Sequence, residues 1–431
     1  DGKEQAMDLR PAVSGEIARA VADIGSADVL LAIPAYNNEL TVAHVMKVAA
    51  EGLSTFFADR KCVLFVVEGG SLDETKNVAL MTDIGLTVKK IVGTYRGESG
   101  KGNAMRAAMQ AALDLGVEAC AMIDGDNRGI TPEWVNNLVT PICEEGYDFV
   151  TPYYKRYKYD GTITNLIVYP LVTSLYGKKL RQPIGGDFGL SGPFIAALAK
   201  QDVWDRFVGQ FGIDVWMTIS AITGGRRICQ ANLGAKIHGA KDPAFSLGPM
   251  YLHVISTVFR SMTRFADTWP SVRAISDVLV KGTALPWEPE PIPISVTRLI
   301  EEFNMGMRHF SPLYREILGR ETFQRLEQIA SSEVCVPEGY CEFHMSPDLW
   351  ARVVYDVAAM FNCWKGNTHK LIDLTSPLYF GQVASMANRT QELDHPEAER
   401  VVDDVLQAFI NEKVYFLNRW KELGSGSSCS M

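Results

Sequence analysis

The sequence predicts an α/β protein built on a mostly parallel sheet and followed by a helical C-terminal region. Three observations predict it. Apolar runs rich in Val, Ile and Leu alternate with helical patterns through the first 150 residues, the spacing of βαβ units. After the proline-rich WEPEPIPIS (287–295) almost every segment has a helical period. The 431-residue length exceeds a usual single core, so two domains are expected.

Taken in order, strands are expected at DVLLAIP (28–34), CVLFVVE (62–68), LTVKKIV (86–92), EACAMID (118–124) and DFVTPYY (148–154). Helices are expected between them at 40–56, 73–84, 102–115 and 132–144, the last opened by Thr131 as cap and Pro132 in the first turn. From 160 to about 285 the pattern is mixed, with helical stretches at 161–178, 192–206 and 213–222 and a strand RICQANLGAKIH (227–238) ending at His238. The expected boundaries are a ligand-binding domain over 1–285, a helical region over 286–422 with a loop near 331–341, and a low-complexity, disordered tail over 423–431.

Composition narrows the function. A net charge of -9 argues against a general nucleic-acid binder, whose contacts need Lys and Arg. The eight cysteines form no CxxC pair and several sit in apolar runs, which reads as reduced, cytoplasmic usage. The most apolar stretch, TITNLIVYPLVTSLYG, is broken by Thr, Asn, Pro and Ser, so no membrane span is expected.

In parallel sheets the ligand crevice lies beyond the carboxyl ends of the strands. The fourth strand runs into AMIDGDNRGI (121–130), which sets Asp124 and Asp126 at such an end. The pair reads either as a solvated turn or as a divalent-metal site of hard oxygen ligands. Three other strand ends lead to IPAYNNELT, VVEGGSLDET and GTYRGESGKGNAMR. The glycines of the last are either turn punctuation or a run of N–H groups suited to phosphate, with Lys101 adding a charge. The segment has neither P-loop nor dinucleotide-binding spacing. His238 reads as a buried core histidine or as a ligand. Asp214 reads as a helix N-terminal carboxylate or a site residue, and Met250 as core packing or part of a closing loop. Arg156, in YYKRYKY, suits a solvated strand end, a stacking surface or an anionic acceptor.

Together the four strand ends, in this order, resemble glycosyltransferases of the A-type fold. Downstream, YYKRYKYDGTIT, RQPIGGD, FGID and KIHG resemble the retaining mannosylglycerate, glucosylglycerate and glucosyl-3-phosphoglycerate synthases. The resemblance covers residues 28–255 well and continues more loosely through LWARVVYDV and LTSPLYFGQVASMANRTQEL. It implies that Asp126 and His238 hold Mg²⁺ or Mn²⁺, with Asp124 and Gly125 beside the nucleotide. Pro34, Tyr36, Glu39, Gly70, Ser71 and Lys101 complete the donor side. Arg156, Thr164, Ile184, Gly185, Gly186 and Met250 line the acceptor pocket, and Asp187 and Asp214 face the transferred sugar. The implied partners are a UDP-, GDP- or ADP-linked glucose or mannose and glycerate or 3-phosphoglycerate, in a homodimer or higher homo-oligomer.

The chemistry agrees with this. A departing diphosphate needs positive charge, which a divalent ion and Lys101 supply. An acceptor carboxylate needs a cation and fixed N–H donors, offered by Arg156 and the Gly185–Gly186 turn. Gly239 stands where some relatives carry Arg, which favours free glycerate over its phosphate and predicts an α-hexosylglycerate, a compatible solute, as product. The rivals are a family-two-like transferase with another acceptor, a nucleotidyltransferase, and a sugar-nucleotide sensor on a degenerate site.

Overall fold

A computed structural model describes residues 12–239, 248–283, 287–332 and 343–424. The chain forms two compact units, one of residues 1–155, 180–239 and 277–290 and one of residues 156–179, 240–276 and 291–431. They interleave along the sequence, so the single boundary expected near 285 is replaced by several. Segments 156–179 and 240–276 join the helical unit. The expected tail lies outside the described residues from 425 on.

The first unit runs α1 (Gly15–Ile24), β1 (Val29–Ala35), α2 (Val42–Phe56), β2 (Cys62–Glu68), α3 (Thr75–Met81), β3 (Lys89–Thr94), α4 (Lys101–Leu115), β4 (Ala119–Met122), α5 (Pro132–Cys143) and β5 (Phe149–Lys155). α6 (Tyr169–Tyr176) belongs to the second unit. β6 (Lys178–Lys179), a two-residue strand outside the main sheet, also belongs to the second unit. Next come β7 (Phe188–Ser191), α7 (Gly192–Ala199), α8 (Ile213–Thr223), β8 (Ile228–Ala235), β9 (Ser276–Asp277, also outside the main sheet) and β10 (Val280–Lys281). The eight-stranded sheet has the order β10-β8-β5-β7-β4-β1-β2-β3. Every pair is parallel except those of β7, which runs antiparallel between β4 and β5.

Strand side chains alternate between faces, and the two apolar cores show it. Leu30, Ala32, Val63, Phe65 and Val67 join α4, α7 and α8 on one face. Val29, Leu31, Ile33, Leu64 and Val66 join α2 and α5 on the other. Burial on both faces explains why these strands read as continuous apolar runs.

Several boundaries shift. The third strand starts at Lys89, later than expected. The fourth ends at Met122, so Asp124 already lies in the turn. The strand expected to run to His238 stops at Ala235. Thr131 is the N-cap residue of α5, yet its hydroxyl makes no capping bond and is buried without a partner among the described residues. Cys62, Cys120, Cys143 and Cys229 are free, but Cys363 is disulfide-bonded, which corrects the expectation of uniformly reduced cysteines.

The second unit is helical. Its core gathers the 347–363, 395–411 and 413–424 helices around stacked Tyr355 and Phe416, 4.5 Å apart. Gly306 and Gly381 let the 296–317 and 368–390 helices approach closely, since an added Cβ would come within 2.4 Å of Pro377 and 2.6 Å of Phe303 respectively. The segment expected to be helical from 161 begins as a π-helical turn, Thr164–Val168, before α6. Trp350 Nε1 donates to the Leu166 carbonyl within it at 2.7 Å. Among the described residues no helix is long and apolar enough to cross a membrane.

Candidate active site

Three strand ends of the first unit are laced into one rim. Asn37, past β1, adopts φ +53, unusual for a residue with a side chain. Its N–H donates to Ser71 Oγ at 3.0 Å, and its own Oδ1 accepts from the Leu72 N–H at 2.9 Å. The Glu39 N–H donates to Asp73 at 3.2 Å, while the Glu39 carboxylate accepts the Glu74 N–H at 3.0 Å. Gly125 donates to the Pro34 carbonyl at 3.2 Å, and its own carbonyl accepts from Thr41 Oγ1 at 2.8 Å. A Cβ at Gly125 would sit 2.9 Å from the Pro34 carbonyl oxygen, so this close approach needs glycine. Gly70 takes φ +78, and Tyr36 is exposed on the same rim. The residues expected on the donor side, Pro34, Glu39, Ser71 and Gly125, are therefore tied together.

Behind the rim lies a chain of alternating charges. Lys101 Nζ stands 2.7 Å from Asp124 Oδ1 and 3.6 Å from Asp214 Oδ2. Lys236 Nζ reaches Asp187 at 2.6 Å and the other oxygen of Asp124 at 3.2 Å. Asp187 is fully buried; it also accepts the Asp124 N–H at 2.8 Å, Asn127 Nδ2 at 3.2 Å and the Tyr154 hydroxyl. Burial works against ionisation of Asp124, but Lys101 and Lys236 outweigh it and hold that carboxyl well below the usual range. Burial pushes the Asp187 carboxyl up to about 6, with Lys236 opposing. Asp214 is raised by burial against the pull of Lys101. Lys101 is half-buried, which works against its charge, yet its two carboxylates keep it firmly protonated.

Two expected anion donors are already used. The Gly100 N–H donates to the Tyr95 hydroxyl at 2.8 Å, and those of Gly102 and Asn103 to the Gln210 and Gly209 carbonyls at 3.0 and 2.9 Å. A Cβ at Gly102 would fall 1.7 Å from the Val208 carbonyl oxygen. The glycines of GKGN thus admit the 207–210 segment rather than cradle phosphate. Likewise the Gly186 N–H donates to Asp214 at 3.0 Å instead of facing an acceptor. Gly186 has φ +92, and a Cβ there would overlap Asp124.

Residues 37–250 match the family model described as Mannosylglycerate synthase, GT domain. The chain is a hexosyltransferase of the mannosylglycerate/glucosylglycerate synthase type. Similarity is also found to solved structures of glucosyl-3-phosphoglycerate synthase from Mycobacterium tuberculosis. The complex with Mn²⁺, uridine diphosphate and phosphoglyceric acid is 24% identical, with 58% of this chain and 84% of that chain covered and a TM-score of 0.43. The complex with Mg²⁺ and uridine diphosphate gives 24%, 58%, 84% and 0.44. A comparison with curated proteins finds no match.

The hexosyltransferase has residues that fit a divalent ion. Asp126 is half-buried, and among the described residues no side chain or backbone group bonds its carboxylate. The turn after it is pinned to the segment that carries His238, with the Arg128 N–H donating to the Ile237 carbonyl at 2.7 Å and its guanidinium to the His238 carbonyl at 3.3 Å. His238 Nδ1 lies 3.0 Å from the Gly239 carbonyl. A proton on Nδ1 bonded there leaves the lone pair on Nε2, the arrangement metal-binding histidines use. Among the described residues no group of three or more His, Cys, Asp or Glu could hold a metal. A two-residue set suits an ion that takes its remaining ligands from phosphate and water.

The expected acceptor residues divide between the units. Ile184, Gly185 and Gly186 belong to the first, and Arg156, Thr164 and Met250 to the second. Arg156 pairs with Asp160 at 2.8 Å. Thr164 opens the buried π-turn, and Met250 lies in the first turn of the 248–264 helix. Residues 240–247 of the expected closing loop lie outside the described residues.

Sequence reading missed Lys236, Tyr154 and Asn127. Asn127 directly follows the D-x-D, and Lys236 stands two residues before His238, so position was the available signal. Tyr154 had none. Along β5 it alternates with exposed Tyr153 and turns to the buried side, where its hydroxyl meets Asp187.

Proposed function

We propose that this hexosyltransferase moves glucose or mannose from a nucleoside-diphosphate sugar to D-glycerate, with retention at the anomeric carbon, giving an α-hexosylglycerate. The observation that carries the reading is the Asp214–Lys101–Asp124 cluster. It sets a protonated lysine between half-buried Asp124 and buried Asp214, and Asp214 Oδ1 is buried without a hydrogen-bond partner among the described residues. Such an oxygen suits a sugar hydroxyl as its missing donor.

In this reading Glu39 takes the ribose, Ser71 meets the base, and Lys101 faces the diphosphate. Asp187 and Asp214 orient the hexose and favour positive charge developing at its anomeric carbon. The bond from that carbon to the diphosphate oxygen breaks as the bond to the glycerate hydroxyl forms on the same face. The hydroxyl proton passes to the departing diphosphate oxygen. Arg156 pairs with the glycerate carboxylate. Asp126 and His238 would hold Mg²⁺ or Mn²⁺, which supplies charge to the diphosphate when bound. Gly239 itself supplies no cation for an acceptor phosphate, which favours glycerate over 3-phosphoglycerate.

The test is nucleotide release from UDP-glucose, GDP-glucose, GDP-mannose and ADP-glucose, each with D-glycerate or 3-phosphoglycerate, with and without EDTA. Release that needs D-glycerate and is abolished by EDTA is expected. Release only with 3-phosphoglycerate would replace the acceptor, and no acceptor-dependent release would remove the glycerate reading.

A further inference from the structure

We infer that Lys236 is a positioning residue of the transfer site, acting through Asp187 and Asp124 rather than on substrate. Its backbone is fixed where β8 ends, the Lys236 N–H donating to the Lys155 carbonyl at 3.1 Å. Its Nζ meets Asp187 Oδ2 at 2.6 Å, Asp124 Oδ2 at 3.2 Å and the Gly185 carbonyl at 3.3 Å. An ammonium has three donors, and three acceptors already meet them. The side chain is only 4% exposed and lies over the Tyr154 ring at 5.1 Å. Little of it is left for a ligand.

Its role follows from what it separates. The Asp124 amide donates to one oxygen of Asp187, so the two carboxylates are adjacent and repel each other. Lys236 bridges them. Lys101 covers the remaining oxygen of Asp124 and reaches on to Asp214. Along the series Asp214, Lys101, Asp124, Lys236, Asp187 the charges alternate. Loss of Lys236 would free Asp124 to turn and take Lys101 with it. A buried ion pair is poor value as a stabiliser, because desolvation offsets much of the attraction. Placing the carboxylates of a reaction site is a better reason for it. Three acceptors from separate residues also suit a compact ammonium better than a planar guanidinium.

The inference rests on the proposed transfer for its readout. Full-length Lys236→Met and Lys236→Arg are compared with wild type using UDP-glucose, or the sugar nucleotide that wild type turns over in the panel above. Lys236→Met should lower kcat for nucleotide release by ~10²-fold or more, as loss of transition-state electrostatics does. Affinity for the matching nucleoside diphosphate, by calorimetry, should stay within about threefold, because binding common to both states is spared. Lys236→Arg should recover about tenfold of the lost kcat by restoring charge without the three-point geometry. A folded Lys236→Met with kcat within about threefold of wild type overturns the inference, as does an equal loss of kcat and nucleotide affinity. If Lys236→Met does not fold, Lys236→Gln replaces it under the same criteria. Rates are read with and without D-glycerate. Failure of glycerate to stimulate wild type would sink the acceptor alone, since the lysine comparison still stands on hydrolysis of the sugar nucleotide.

Discussion

Lys101 Nζ lies 2.7 Å from Asp124 Oδ1 at the opening turn of α4, and its carboxylate neighbours keep this lysine firmly charged against the pull of burial. The Gly100, Gly102 and Asn103 amides at the start of α4 are bonded to Tyr95, Gln210 and Gly209 respectively. Positive charge at this strand end therefore rests on the side chain. Lys101→Met should lower kcat/KM by ~10²-fold or more and weaken nucleoside-diphosphate affinity as well. Unchanged affinity would mean that Lys101 serves only to fix Asp124.

The acid limb of activity should report Asp187, whose carboxyl burial pushes up to about 6. If the ionised form is the active one, kcat falls below about pH 6 and Asp187→Asn abolishes that limb. Stability should respond with the opposite sign. A carboxyl raised in the folded state binds protons more tightly there than in the unfolded chain. Its contribution is complete below the ordinary Asp value of about 4 and lost as pH rises through about 6. Activity should thus fall from pH 7 to pH 5 while this group alone raises the melting temperature. A melting temperature that falls in step with activity, and does so equally in Asp187→Asn, would show unfolding instead.

The parallel sheet was legible because strands buried on both faces carry a plain signal, and Gly100, Gly116 and Pro132 mark helix ends between them. The strand-end carboxylates and Lys101 were legible because motif order survives without coordinates. Hydrogen-bond direction was not. GKGN and Gly185–Gly186 have the composition of anion-binding turns, yet the Gly102 and Gly186 amides answer to Gln210 and Asp214, more than 25 residues away. Lys236 was hidden similarly: nothing local marks a lysine whose two carboxylate partners lie 112 and 49 residues distant. The interleaving of the units was also invisible, because close packing across distant segments leaves no compositional boundary.

The Asp126 carboxylate, with no bonding partner among the described residues, predicts a metal-binding phenotype separable from turnover. Asp126→Ala and His238→Ala should each cut turnover by ~10²-fold or more. Each should also weaken Mn²⁺ binding, read directly by electron paramagnetic resonance in the presence of nucleoside diphosphate. Mn²⁺ binding at wild-type strength in both variants would remove these residues as ligands.

Within the second unit the Arg156 loop is held by the C-terminal helices. Lys158 Nζ bonds the Thr390, Gln391 and Leu393 carbonyls at 2.7, 2.5 and 3.1 Å, just where the 368–390 helix ends. A cation there satisfies carbonyls the helix leaves open and complements its dipole. The Thr162 hydroxyl meets that of Tyr379 at 2.6 Å in the same helix. If Arg156 receives the acceptor carboxylate, the helical region serves as its support. Lys158→Met should then raise KM for D-glycerate by about tenfold, the scale of one lost charge-assisted hydrogen bond, and leave nucleotide affinity unchanged. Arg156→Ala should act in the same direction and at least as strongly. Should Lys158→Met instead weaken nucleotide binding and spare the glycerate KM, this loop belongs to the donor, and Arg156 must be reassigned with it.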